Sequence, residues 1–148
     1  IKSRCIQFKF FFTLPEKKKI LANIINQYKN NFDISKVDDS FYLDSPGNIL
    51  NYIKILSDKN FDFINNKLTC ISYLIDSYKQ KKDPQLLIFI SLLVELFYNE
   101  LSQKNNKKLN IYFYNKFKIL KQINDVKKFN LDKNNLFILL QGILKNES

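Results

Sequence analysis

Histidine is absent from this 148-residue chain, and glycine and proline are scarce, at two and three residues. Without histidine the chain lacks the commonest general base and the commonest metal ligand. So few turn residues argue against a β sandwich or barrel, which needs many short strands joined by turns. The only cysteines, Cys5 and Cys70, stand far apart. They make neither a zinc motif nor a disulfide framework, so a reduced cytoplasm is the expected setting. There is no glycine-rich phosphate loop. The first residues are basic and aromatic but offer no small-residue cleavage site of a signal peptide. The longest apolar run, residues 86–97, carries Glu95 and is too short to cross a bilayer, so no membrane association is expected.

What is present is lysine, asparagine, isoleucine, leucine and phenylalanine. The hydrophobic fraction is 45%, enough for one modest domain or two small helical ones. The formal net charge is +10. Such a surface attracts nucleic acid, anionic lipid or acidic partners. The lysines are spread along the chain, however, in short clusters near residues 17–19, 79–82 and 104–108. A solvated lysine-rich surface accounts for the charge equally well.

Residues 5–12 alternate partly and are rich in phenylalanine, which predicts a short strand. Pro15 then opens a helix, with Thr13 or Leu14 as its cap. Ile20, Leu21, Ile24, Ile25 and Tyr28 make one apolar stripe, with Lys17, Lys18 and Lys19 at its wet end serving solubility. Residues 30–44 are polar and read as a loop with at most a short helix. Ser45-Pro46-Gly47 starts a new helix, with Ile49, Leu50, Ile53 and Leu56 on its apolar face. Residues 57–60 break the pattern and mark a domain boundary.

Four longer helices follow, over about 61–81, 84–103, 109–129 and from 130 or 132 onward. The first turns Phe63, Ile64, Leu68, Ile71, Leu74 and Ile75 inward. Asp83-Pro84 separates it from the second, since proline fits a helix's first turn and resists its interior. The second is apolar nearly all round and belongs at the centre of a bundle. In the third, Ile111, Phe113, Tyr114, Phe117, Leu120, Ile123 and Val126 are expected to be buried. Asn130 or Asp132 caps the fourth, lined by Leu136, Phe137, Leu139, Leu140, Ile143 and Leu144. The short loops predict antiparallel neighbours.

Chemistry-bearing groups are few. Asp38 and Asp39 are adjacent and read as turn and cap residues. Glu95 and Glu100 are expected on the wet edge of the apolar helix. Cys70 reads as a small core residue. Phe89, Phe97, Phe113 and Phe117 read as core packing, not as a base-stacking platform. That leaves Arg4, in Ser3-Arg4-Cys5, as the one residue with catalytic promise. A guanidinium is permanently charged and planar, with a fork of donors that matches phosphate oxygens.

Three segments together resemble the clamp-loader family of AAA+ proteins. Ser3-Arg4-Cys5, followed by a strand and by Thr13-Leu14-Pro15-Glu16, is similar to the end of the family's ATPase-type domain. Asp44-Ser45-Pro46-Gly47-Asn48-Ile49-Leu50 resembles the segment that begins the last helix of its lid domain. Asn130-Leu131-Asp132 before an apolar helix resembles the end of its collar. Ser-Pro-Gly is the pattern of the delta-prime branch, which does not hydrolyse ATP. Hydrolysing subunits carry an arginine where this chain has Gly47. Asp44 replaces the family's usual glycine, and the lid's middle helix is poorly supported over residues 30–43.

The resemblance implies an all-α architecture with a strand remnant. Residues 1–12 would be the tail of the AAA+ domain, 13–58 the helical lid and 59–148 a helical-bundle collar that oligomerises. It implies a C-terminal part of a subunit that is no enzyme by itself. The subunit would serve the DNA polymerase III holoenzyme by loading the sliding clamp on primed DNA, in a hetero-pentamer with gamma/tau and delta. Arg4 would act in trans on ATP bound by a neighbouring subunit, positioned by Ser3 and Cys5. The chain itself would bind no cofactor or metal, zinc belonging to an upstream domain. Two other readings stand beside this one. An ATPase-type gamma/tau subunit is disfavoured by Gly47. A standalone basic helical module binding nucleic acid is supported by the charge and disfavoured by the dispersed lysines.

Overall fold

The computed structural model describes residues 11–27, 39–57, 66–129 and 133–145. Among them every regular element is helical: α1 (Leu14–Gln27), α2 (Pro46–Ser57), α3 (Lys67–Lys81), α4 (Pro84–Lys104), α5 (Leu109–Phe129) and α6 (Lys133–Lys145), with 3-10 turns at Asp39–Leu43 and Asn106–Lys108. The all-α expectation holds. The strand expected over residues 5–12 falls almost wholly outside the described residues, and Phe11 and Phe12 have no regular structure. The chain divides into two compact units, residues 1–53 and 54–148. The division falls within α2, just after its buried Ile49, Leu50, Tyr52 and Ile53.

In the first unit α1 starts at the Glu16 half of a capping box. Glu16 Oε2 accepts from the backbone N–H of Thr13 at 2.7 Å and from its hydroxyl at 2.9 Å, satisfying donors that the helix leaves open. Leu21 and Ile25 face inward, and Ile20 and Ile24 are half-buried. The stretch expected as a loop contains the 3-10 turn Asp39–Leu43, which buries Phe41 and Tyr42. Phe41 meets Tyr52 of α2 edge to face, with centroids 6.5 Å apart. Two lysines expected to serve solubility also find partners within this unit. Lys17 Nζ donates to the carbonyls of Tyr42 and Asp44 at 3.0 and 3.2 Å. Lys18 pairs with Asp39 at 2.5 Å and lies over the Tyr42 ring. Long lysine stems let the ammonium reach polar partners while the chain covers apolar surface.

The second unit is a four-helix bundle. α3 packs on α4, α4 on α5 and α5 on α6, and α6 returns to α3. The short connections make sequential helices antiparallel. Asp83 caps α4, accepting from the Gln85 N–H at 2.9 Å, with Pro84 in the first turn, as the Asp-Pro signal predicts. Lys82 ends α3 in the left-handed conformation, φ 54°. α4 buries ten apolar side chains, including Phe89 and Phe97. By length and composition this helix could cross a membrane, longer than the apolar run alone predicts, yet 56% of the qualifying window is buried inside the protein. Cys70 is buried in α3. In α6 Leu136, Phe137 and Leu140 point inward. Phe63, Ile64, Asn130 and Asp132 lie outside the described residues.

One helix departs from expectation. α5 buries Tyr112, Ile119, Ile123 and Val126. Ile111, Phe113, Tyr114 and Phe117, expected in the core, are 53–66% exposed. Only one stripe of α5 can face α4 and α6, and a helix with apolar residues on several sides leaves the rest in water.

Candidate functional site

Arg4, Ser3 and Cys5 lie outside the described residues, as does Asp38. The second motif is described in full. At the start of α2 the Ser45 hydroxyl accepts from the Asn48 N–H at 3.3 Å, and the Ser45 carbonyl accepts from Ile49 N–H at 3.0 Å. This is serine acting as an N-cap. Asp44 braces the same turn. Its Oδ1 accepts from the Ser45 N–H at 2.6 Å and from the Asn48 side-chain amide at 2.9 Å. Its Oδ2 accepts from the Tyr52 hydroxyl at 2.5 Å. Burial, then the Asp44 bond, push the Tyr52 phenol far above its ordinary range.

Gly47 sits exposed in the first turn of α2, and a Cβ built there meets nothing within 4 Å. The position could carry a side chain without a clash, and this sequence supplies none.

In the second unit a cleft of about 260 Å³ lies between the start of α3 and the end of α4, floored by Phe97 and Leu101. Across it Glu100 accepts from Lys67 of α3 at 2.8 Å, and along α4 itself from Lys104 at 2.9 Å. Lys67 and then Lys104 hold its carboxyl below the usual range. Glu95 and Glu100 are half-buried, among the few partly exposed positions of a helix otherwise buried nearly all round, which is the wet edge expected of them. The carboxylate is neutralised by two ammonium groups, and the cleft's described lining contains no cysteine, serine or histidine beside it. Among the described residues no group of His, Cys, Asp or Glu could hold a metal ion.

The third feature is the outer face of α5. Lys116 Nζ stands 5.1 Å from the Phe113 ring centroid, and Lys118 Nζ 5.9 Å from that of Tyr114. Lys116 also donates to Asn99 Oδ1 of α4 at 3.2 Å. None of Lys116, Lys118 and Lys121 forms an ion pair with a described residue. Asp125 is the helix's single acidic residue. Cation–π contact at an exposed site is worth about 0.5–1 kcal/mol. The sequence carries a signal for this surface. Phe113–Lys116, Tyr114–Lys118 and Phe117–Lys121 are spaced i,i+3 or i,i+4, so each ring shares a helix face with a lysine. Lysine is almost never fully buried, but the spacing alone does not expose its neighbour, since Tyr112 and Ile119 flank Lys116 on the helix and are buried.

No protein-family model, no curated protein and no solved structure matches this chain significantly.

Proposed function

We propose that this chain contributes the lid and collar of a non-hydrolysing clamp-loader subunit of the delta-prime type. It would assemble with gamma/tau and delta and help to load the sliding clamp on primed DNA. The observation that carries the reading is Gly47. The segment that resembles the start of the family's last lid helix is a well-capped helix start here. At the position where ATP-hydrolysing subunits present an arginine to their own nucleotide, this chain presents bare backbone with open space around it. Such a subunit has no group there to bind a phosphate in its own site. The ordered succession of Ser3-Arg4-Cys5, this turn and then a four-helix bundle supports the same assignment. It leaves Arg4 to serve ATP bound by a neighbour.

The test uses the full subunit in the assembled loader. Arg4→Ala should leave assembly intact and lower DNA-stimulated ATP hydrolysis, because an arginine acting in trans stabilises charge on the transferred phosphate. Unchanged hydrolysis and clamp loading would overturn the assignment.

A further inference from the structure

We propose that the outer face of α5 binds single-stranded nucleic acid, with Phe113, Tyr114 and Phe117 as stacking side chains and Lys116, Lys118 and Lys121 as phosphate contacts. The inference stands independently of the clamp-loader reading.

Three large rings are exposed within five residues of one helix. Leaving apolar ring area in water forgoes roughly 25 cal/mol for each Å² that burial would have removed. Clustered exposure of this kind marks an interaction surface more often than scattered apolar residues do. The helical repeat arranges it in two strips. Phe113 and Phe117 lie one turn apart on the first. Tyr114, Lys118 and Lys121, at i, i+4 and i+7, form the second beside it.

Charge selects the occupant. α5 carries five lysines against one aspartate, and Lys107 and Lys108 precede it. A second copy docking through the same face would set Lys116, Lys118 and Lys121 against their own counterparts, so self-association through it is opposed. A polyanion is attracted, and only one with flat apolar groups also uses the rings. Duplex nucleic acid keeps its bases stacked inside, whereas a single strand exposes them to aromatic side chains. The spacing agrees. Phe113 and Phe117 are about 6 Å apart along the helix axis. That is nearly twice the ~3.4 Å rise per stacked base in duplex DNA, the separation an unstacked strand allows.

The test measures fluorescence anisotropy of a labelled oligothymidylate of about 16 nucleotides with the whole chain, against a duplex of equal length. The single strand should bind more tightly. For three phosphate contacts the slope of log affinity against log salt should be roughly −2. Phe113→Ala and Phe117→Ala should each weaken binding about tenfold with unchanged helical circular dichroism and salt slope. Lys118→Gln with Lys121→Gln should flatten the slope, and Ile138→Ala, an exposed residue of α6, should change nothing. The proposal fails if no binding is seen at about 50 mM salt or if the duplex binds as well. It fails equally if the phenylalanine variants bind like the parent, or if polyglutamate displaces the strand as readily as unlabelled oligothymidylate. Concentration-dependent self-association abolished by Phe117→Lys would also overturn it, in favour of a protein contact.

Discussion

Tyr52 donates its hydroxyl to Asp44 Oδ2 at 2.5 Å, and so closes the turn that starts α2 from one side while Ser45 and Asn48 close it from the other. The acceptor is a carboxylate and the donor is buried, the circumstances in which a hydrogen bond contributes most. Tyr52→Phe should therefore destabilise the first unit by about 2 kcal/mol. Asp44→Asn should cost a similar amount, and the double variant less than the sum of the two. Chemical unfolding of the four proteins reads the coupling; strict additivity would mean that the two side chains do not interact.

The same bond predicts a response to alkali. Tyr52 is held protonated in the folded chain by burial and by Asp44, and burial raises Tyr42 likewise. An unfolded tyrosine titrates near 10. Their folded-state pKa values are raised above that, so this stability is fully present below about pH 10 and is lost as pH climbs towards the folded values. In a phenolate absorbance titration these two residues should appear late, together with unfolding. Tyr52→Phe should remove one of them from the late step; a late step of unchanged size would contradict the arrangement.

On the acid side Glu100 acts with the opposite sign. Lys67, then Lys104, lower its pKa beneath the ordinary value of 4.5. The stability it lends is present above that value and declines as pH falls through the folded pKa. The carboxylate is about two-fifths exposed, so solvent screens it and the contribution is no more than about 1 kcal/mol. Glu100→Gln should make the bundle's stability flatter as pH falls below the ordinary carboxylate value of 4.5 and weaken its dependence on salt. A variant with the parent's pH profile would show the ion pairs to be without effect.

Much of this fold was legible in sequence because helix signals are local. Asp83-Pro84, Ser45-Pro46 and Thr13 with Glu16 each mark a helix start through short-range bonds, and each cap forms. α4's all-round apolarity placed it in the core. The failures share a physical cause: they depend on which stripe meets a neighbour. Phe113 and Phe117 are as apolar as Phe89 and Phe97, yet only the latter pair is buried. Periodicity gives a stripe but not the tertiary contact that covers it. The partners of Lys17 and Lys18 are not legible in sequence for a related reason, since they lie more than twenty residues away. Gly47 was legible as a missing side chain, while the space around it required coordinates. Arg4 remains a sequence inference.

Lys82 offers a backbone test. It occupies the left-handed region at φ 54°, donating its N–H to the Tyr78 carbonyl at 2.8 Å to end α3. A residue with a Cβ pays about 1 kcal/mol or more there, and glycine does not. Lys82→Gly should therefore raise the bundle's stability by about 1 kcal/mol, visible as a higher midpoint in urea with an unchanged slope. Destabilisation would mean that the lysine side chain, not the backbone, governs this end of the helix.

The contrast between α4 and α5 can be settled by two truncations. Leu93 is fully buried in α4, and Leu93→Ala should leave a cavity costing about 3 kcal/mol. Phe117 on α5 is 66% exposed. Its truncation removes few packed atoms and places a stronger helix former on the surface. Phe117→Ala should therefore shift stability by no more than about 0.5 kcal/mol. Measured in the same urea titration, the pair separates core from surface without reference to any ligand. A loss of about 3 kcal/mol at Phe117 would mean that its ring is packed in solution, and the stacking surface on α5 would not exist. A neutral result leaves the ring available, so that weakened oligothymidylate binding by the same variant reports a lost contact and not a damaged fold.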